Sequence, residues 1–176
     1  MNRLRGKVFH LTTKKAFEKI KTDGFIFNNK NGRFGLNTSS ENSFCREQGW
    51  ICFFDLRNKS DQDIEETLIR YNFLGPSWFC EYEVEFSEMN LAYLILNSSS
   101  YDKLIRNESP KRSWIENKKG MMYIPETECW YPGDLPLSFI KETIVVRIFQ
   151  DAPKHNRFLY AHHLMAIKNK PKSKGQ

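Results

Sequence analysis

The spacing of hydrophobic residues predicts helices in the first part of the chain and strands in the second. Residues 8–11 form a short apolar run of strand length, and residues 12–24 then place apolar side chains on one face of a helix that ends at Gly24. Residues 50–56 are almost wholly apolar. A run of that length and composition predicts a buried strand.

Polar and glycine-rich segments separate these elements. Residues 28–35 are dense in asparagine and glycine, which tolerate positive φ, so they predict a loop that leads into a short extended segment at residues 34–37. Thr38 and Glu41 then form a capping-box pattern for a helix that runs to about residue 48.

The remaining sequence predicts further strands and short helices. Ser60 and Asp63 predict the start of a helix, and residues 61–71 carry apolar side chains at helical spacing. In residues 78–86 apolar side chains alternate with glutamates, which is the two-residue period of a strand. The other predicted elements are a strand at 91–96, a helix at 98–106, a charged connection at 111–119, a one-turn helix beginning at Pro136 and a strand at 143–148. Strands and helices do not alternate regularly, so the pattern favours a mixed α+β domain over a doubly wound sheet.

Size and charge agree with one folded domain. A chain of 176 residues with 40% hydrophobic residues can bury a substantial core, and we predict a domain at residues 1–167 and a basic flexible tail at residues 168–176. The formal net charge of +6 permits attraction to a polyanion without specifying one. No run approaches the roughly 18 apolar residues of a membrane span, and no signal-type segment opens the chain, so we expect a cytoplasmic protein.

The cysteines do not follow a metal-binding or disulfide pattern. Cys45, Cys52, Cys80 and Cys129 are well separated, with no Cys-x-x-Cys, and most have aromatic or aliphatic neighbours. Small buried thiols in a reducing compartment are therefore expected, and the sequence predicts no metal site.

Two distant segments carry residues suited to chemistry on a ribose. His10 ends the first predicted strand and is followed by the hydroxyls of Thr12 and Thr13, and Glu126 and Glu128 stand two residues apart much later. Each has a plainer interpretation: a strand-end histidine is ordinarily exposed or hydrogen-bonded, the threonines can cap a helix, and the glutamates can face solvent on an edge strand.

Three segments, in this order, resemble the ADP-ribosyltransferase superfamily. Residues 9–13 and the helix after them resemble the first strand and helix of its histidine-bearing branches, and Thr-Ser-Ser at residues 38–40 is similar to the family's Ser-Thr-Ser strand. Residues 126–133 are similar to its Glu-x-Glu, hydrophobic pair and Pro-Gly. The resemblance covers roughly residues 7–149 and implies a single α+β domain. Its split mixed or antiparallel sheets would surround an NAD cleft, with NAD as co-substrate and no metal.

The resemblance also implies roles for the matched residues. Glu128 would stabilise the oxocarbenium-like charge that develops on the ribose when the nicotinamide–ribose bond breaks, and Glu126 would orient or deprotonate the acceptor. His10 would hydrogen-bond the nicotinamide-side ribose with help from Thr12, and Ser39 would position Glu128. An aromatic ring would stack on nicotinamide, and the candidates are Phe34, chosen first, with Phe44, Trp50 and Tyr123.

The function expected from this resemblance is NAD-dependent mono-ADP-ribosylation of a protein or nucleic acid, as in toxins, phage-defence proteins and effectors. An antitoxin-like or regulatory partner would suit such a role. Glu-x-Glu usually accompanies an N-terminal arginine rather than a histidine, so the acceptor stays open. One alternative is an enzyme similar to the NAD-using RNA 2′-phosphotransferases, for which Arg33 and Arg46 are the local basic residues. Another is a non-catalytic binder of protein or nucleic acid on the same fold, with the basic tail contacting phosphates.

Overall fold

The computed structural model describes residues 4–34, 43–70, 89–106, 124 and 127–148. The strands are β1 (Val8–Thr13), β2 (Phe25–Ile26), β3 (Trp50–Asp55), β4 (Met89–Leu96), β5 (Glu128–Pro132), β6 (Leu135–Pro136) and β7 (Ile140–Ile148). The α-helices are α1 (Lys14–Asp23), α2 (Phe44–Gln48) and α3 (Asp61–Arg70), and Ser98–Lys103 and Leu137–Phe139 are short 3-10 helices. None of these described helices is long and apolar enough to cross a membrane.

The strands form a five-stranded sheet in the order β5-β3-β1-β4-β7 and a two-stranded sheet of β2 and β6. In the larger sheet β1 runs antiparallel to both β3 and β4, and β3 runs antiparallel to β5. In the smaller sheet β2 is antiparallel to β6. The described part of the chain is thus a mixed α+β structure with a mainly antiparallel sheet, which confirms the predicted class at that level.

Local signals fix both ends of α1. Thr13 is its N-cap, and the Thr13 hydroxyl accepts a hydrogen bond from the Ala16 N–H at 3.1 Å. Gly24 follows the helix at φ 73°, and its N–H donates to the Ile20 carbonyl at 2.9 Å. This left-handed conformation suits glycine because it has no side chain to clash. Phe17 is the residue of the helix that is buried. The helix predicted to end at Gly24 is confirmed.

Two hydrophobic clusters pack within this region. The larger one combines buried residues of several strands with Phe17 of α1, including Val8, Phe53 and Leu94. The smaller one joins Phe44 and Cys45 of α2 to Trp130 of β5. Strands β3 and β5 contribute to both clusters. Along each strand, neighbouring side chains belong to different clusters, as expected when side chains alternate between the two faces of a sheet.

Contacts divide the chain into two compact units, one of which holds residues 2–58 and 90–146. The cavity and side chains described below all belong to this unit. The other unit contains α3, whose start was predicted at Ser60 and Asp63 and which begins with a reciprocal cap between them. There the Ser60 N–H donates to the Asp63 carboxylate at 2.7 Å, and the Asp63 N–H donates to the Ser60 hydroxyl at 3.1 Å.

Several predicted elements have different bounds in the structure. The helix predicted at 98–106 is a 3-10 helix that ends at Lys103, because Ile105 instead pairs with Trp130 through two backbone hydrogen bonds of 2.8 and 3.0 Å. The one-turn helix predicted to begin at Pro136 occupies residues 137–139, since Pro136 still pairs with Phe25 in the smaller sheet. The predicted elements at 34–37, 78–86 and 111–119 lie wholly or mostly outside the described residues, as does the start of the helix predicted from Thr38.

Candidate active site

A cavity of about 580 Å³ is lined by three of the six site residues predicted from the sequence, His10, Thr12 and Phe34. Its wall includes β1, β3 and the first strand of the two-stranded sheet, together with parts of α1 and α2. The cavity thus lies between elements of both sheets. Its volume falls in the range of about 300–1,000 Å³ that is usual for small-molecule sites.

His10 is held in the cavity wall by the backbone of the neighbouring strand. In the pairing of β1 with β3, Val8 lies opposite Asp55 and Phe9 opposite Phe54. His10 follows Phe9, and its ring nitrogen Nδ1 lies 2.8 Å from the Cys52 carbonyl oxygen. Because a carbonyl can only accept, Nδ1 carries the proton and the other ring nitrogen, Nε2, is an acceptor in the neutral ring. Burial lowers the pKa of His10, against the opposing effect of this hydrogen bond. The neutral ring therefore predominates at neutral pH.

Thr12 and Phe34 also line the cavity. Thr12 lies on β1 and pairs with Ala92 of β4, so its hydroxyl is not used as the helix cap, a role that Thr13 fills. Phe34 lies in the loop after β2 and is 48% exposed. The Phe34 N–H donates to the Asn29 side-chain oxygen at 3.0 Å, which ties the two ends of this loop together.

Glu128 begins β5, where it pairs with Phe54 of β3 and is only 6% exposed. Its two carboxylate oxygens accept hydrogen bonds from the Trp130 indole N–H at 2.7 Å and from the Ile124 N–H at 3.2 Å. Burial raises the pKa of Glu128 to about 7, although these donors and Cys52 favour the charged form. The carboxyl group is thus an acid that changes charge near neutral pH.

Two thiols separate this carboxyl group from the cavity. Cys45 and Cys52 line the cavity, and their sulfur atoms and a carboxylate oxygen of Glu128 all lie within 4.8 Å of one another. Glu128 itself is not among the lining residues. A hydrogen bond with Cys45, burial and the nearby charge of Glu128 together raise the pKa of the Cys52 thiol. The Cys52 sulfur is therefore a neutral thiol at neutral pH, next to an ionisable carboxyl group.

The sequence predicts well-separated cysteines, and the proximity of Cys45 and Cys52 is not part of that prediction. The seven-residue interval between Cys45 and Cys52 contains the C-terminus of α2 and Gly49, whose φ of 77° turns the chain directly into β3. A helix–glycine–strand turn brings residues on its two arms together, and this pattern was readable in the sequence.

Not every predicted site residue can be placed. Ser39 and Glu126 lie outside the described residues, as does Tyr123, so their roles stay predictions. Among the other aromatic candidates, Trp50 lines the cavity, whereas Phe44 is buried against Trp130 with ring centroids 5.2 Å apart. Phe34 and Trp50 are thus the described candidates that reach the cavity.

The charged residues in the described wall are mostly basic. Lys15 and Lys19 of α1 and Arg46 of α2 line the cavity, with Asp23 as the acidic residue among the described lining. The Arg46 guanidinium donates to the Lys30 carbonyl at 3.3 Å. A phosphate-bearing ligand would meet a favourable field in this cavity.

No protein-family model, curated protein or solved structure matches this chain.

Proposed function

We propose that the protein is an NAD-dependent mono-ADP-ribosyltransferase that modifies a macromolecular acceptor, with an ADP-ribosyltransferase-like fold. The observation that carries the proposal is the position of His10, which lines the cavity and has one ring nitrogen held by the backbone of β3. A five-stranded sheet beside a two-stranded sheet, with a cavity whose wall includes both, also suits the split-sheet architecture that the sequence resemblance implies.

His10 and Thr12 are suited to hold the ribose next to the reacting bond. The neutral ring of His10 offers Nε2 as an acceptor for a ribose hydroxyl, because Nδ1 is committed to the Cys52 carbonyl. Thr12, two residues further along β1, lines the same cavity and can donate or accept through its hydroxyl. Phe34 and Trp50 are the described aromatic candidates that line the cavity, and a nicotinamide ring could stack on either.

Glu128 supplies the negative charge that the reaction needs. When the nicotinamide–ribose bond breaks, its electron pair leaves with nicotinamide, and positive character develops on the ribose carbon and ring oxygen. The Glu128 carboxylate, fixed by Trp130 and Ile124, lies behind Cys45 and Cys52 and not in the cavity lining, so it would act on this charge through the low-dielectric interior and not by direct contact with the ribose. The acceptor then attacks the ribose carbon and gives up its proton, a step for which Glu126 remains the predicted base.

A basic residue of the cavity wall, Arg46, fits the pyrophosphate of NAD. A site that holds ribose against His10, nicotinamide against an aromatic ring of the wall and a phosphate near Arg46 leaves Lys15 and Lys19 of α1 for the macromolecular acceptor.

The proposal is tested by incubating the protein with NAD labelled in its adenylate phosphate and separate pools of protein, DNA and RNA. We expect label in one pool and stoichiometric release of nicotinamide. The variants Glu128→Gln and His10→Ala should abolish both, whereas Glu18→Gln, which changes an exposed glutamate of α1 outside the cavity wall, should retain them. Absence of label from all pools together with intact NAD would refute the proposal.

A 2′-phosphorylated RNA added as a fourth pool separates the alternative enzyme class. Loss of its 2′-phosphate without label remaining on the RNA would assign the cavity to phosphotransfer instead of ADP-ribosylation.

A further inference from the structure

Three phenylalanine rings form a stack beside the cavity. The centroids of Phe25 and Phe27 are 5.8 Å apart with 20° between the ring planes, and those of Phe27 and Phe34 are 5.8 Å apart with 21°. We refer to Phe25, Phe27 and Phe34 as the phenylalanine ladder. All three line the cavity, so the ladder runs along its wall.

The ladder presents aromatic surface to solvent. Phe25 is 40% exposed and Phe34 is 48% exposed, and together with Val145 they are the exposed large hydrophobic residues of the described chain. Phe25 lies in β2, and Phe34 lies at the end of the loop that follows. Aromatic rings on the surface of a folded domain often mark a binding site rather than a packing requirement.

The loop that carries the ladder is held in place by polar contacts. The backbone N–H and the side-chain amide of Asn28 both donate to one carboxylate oxygen of Asp134, at 2.8 and 2.7 Å. At the other end the Phe34 N–H donates to the Asn29 side chain. The rings are thus preorganised, which lowers the entropic cost of binding a partner.

Positive charge accompanies the exposed rings. The Arg33 guanidinium lies over both Phe27 and Phe34, with centroid distances of 5.0 and 5.1 Å. Lys15 and Lys19 lie four residues apart on α1, so they share a helix face and both line the cavity. Both lysines are exposed, and within the described residues no ion pair neutralises either of them.

We propose that the phenylalanine ladder, Arg33 and the two lysines form a binding surface for single-stranded nucleic acid. This inference rests on the proposed function, because it names the class of acceptor that is delivered to the cavity. Unpaired bases offer flat faces that stack on phenylalanine and on guanidinium, and the phosphates between them pair with lysine. A duplex keeps its bases stacked inside and cannot use the ladder in this way.

The binding surface can be tested without NAD, by fluorescence anisotropy with 12-nucleotide oligo(dT) and oligo(U) and with a duplex of the same length. We expect the single strands to bind more tightly than the duplex. Phe34→Ala should weaken single-strand binding on the order of 10-fold or more, the usual effect of losing one stacking partner. Phe34→Trp should restore it, which separates stacking from loop folding. Val145→Ala, a change at an exposed apolar residue of β7 outside the cavity wall, is the matched control.

The lysines are tested through the dependence of binding on salt. Replacing Lys15 and Lys19 together by alanine should make the slope of log affinity against log salt less steep by about 0.7 for each cation lost. Lys141→Ala removes an exposed charge outside the cavity wall and should change this slope much less. Equal binding of single strand and duplex, or wild-type affinity of Phe34→Ala, would overturn the inference.

The failures of the two proposals are distinguishable. Transfer of ADP-ribose to a protein pool without any oligonucleotide binding would overturn the nucleic-acid surface while leaving the enzyme proposal intact. Ladder-dependent oligonucleotide binding with no cleavage of NAD would support the surface and refute the enzyme.

Discussion

Replacing Glu128 by glutamine is expected to change how the stability of the protein depends on pH. The carboxyl group is almost fully buried, and its pKa is raised from an ordinary 4.5 to about 7. Between these two values the folded state binds a proton at Glu128 and the unfolded state does not. The free energy of unfolding therefore falls as pH rises through this window, is unaffected by Glu128 below it, and carries the full penalty above it.

The size of this effect follows from the difference between the two pKa values. A difference of about 2.5 units corresponds to about 3 kcal/mol, and the low exposure of Glu128 leaves little solvent screening to reduce it. Glutamine does not titrate, so the variant lacks this loss. The side-chain NH2 of glutamine would face the Ile124 N–H, so two donors would lie opposite each other. This lowers the free energy of unfolding of the variant by an amount that does not depend on pH.

The measurement is urea unfolding of both proteins at several pH values from about 4 to about 8, followed by tryptophan fluorescence. The stability of Glu128→Gln relative to wild type should rise by about 3 kcal/mol across this range. Glu18→Gln, at an exposed glutamate, should track the wild type. If the difference in unfolding free energy between Glu128→Gln and wild type stays constant with pH, the pKa of Glu128 is not raised in the folded state. That result would refute this reasoning.

Two further predictions concern activity and the first helix. The kcat/KM for NAD should rise with pH and level off above about 7, because the ionised form of Glu128 stabilises the positive ribose; a profile that falls over this range would assign the carboxyl group the role of an acid. Thr13→Ala should lower the free energy of unfolding by about 1 kcal/mol in urea unfolding, because the helix loses its cap. Thr12→Ala should instead raise the KM for NAD in steady-state kinetics, with little loss of stability. The opposite pattern would reverse these roles.

Local sequence signals were sufficient for several elements. The bounds of α1 follow from a threonine cap and a glycine at positive φ, both of which act within one helical turn. The apolar run of β3 is likewise a local property, since almost every side chain from 50 to 55 is buried or half-buried. His10 could be singled out because it lies in a short apolar run that is followed by the hydroxyls of Thr12 and Thr13, although β1 continues to Thr13.

Other features depend on contacts between distant residues. The pairing of Ile105 with Trp130 shortens a predicted helix, and no pattern near residue 105 indicates that partner. The burial of Glu128 depends on the pairing of β5 with β3, which places Cys52 beside a carboxyl group that Trp130 of the same strand already contacts. Sequence periodicity alone allowed an exposed glutamate at this position, since it cannot specify which strand lies alongside.

The central claim is that the cavity containing His10 cleaves the nicotinamide–ribose bond of NAD and transfers ADP-ribose. The most direct measurement is the release of nicotinamide from NAD by the wild-type protein and by Glu128→Gln, with an acceptor pool of single-stranded nucleic acid and one of protein. We predict release by the wild type, accompanied by transfer of label to an acceptor pool, and none by the variant. Equal release by both proteins, or no release with either pool, would contradict the account.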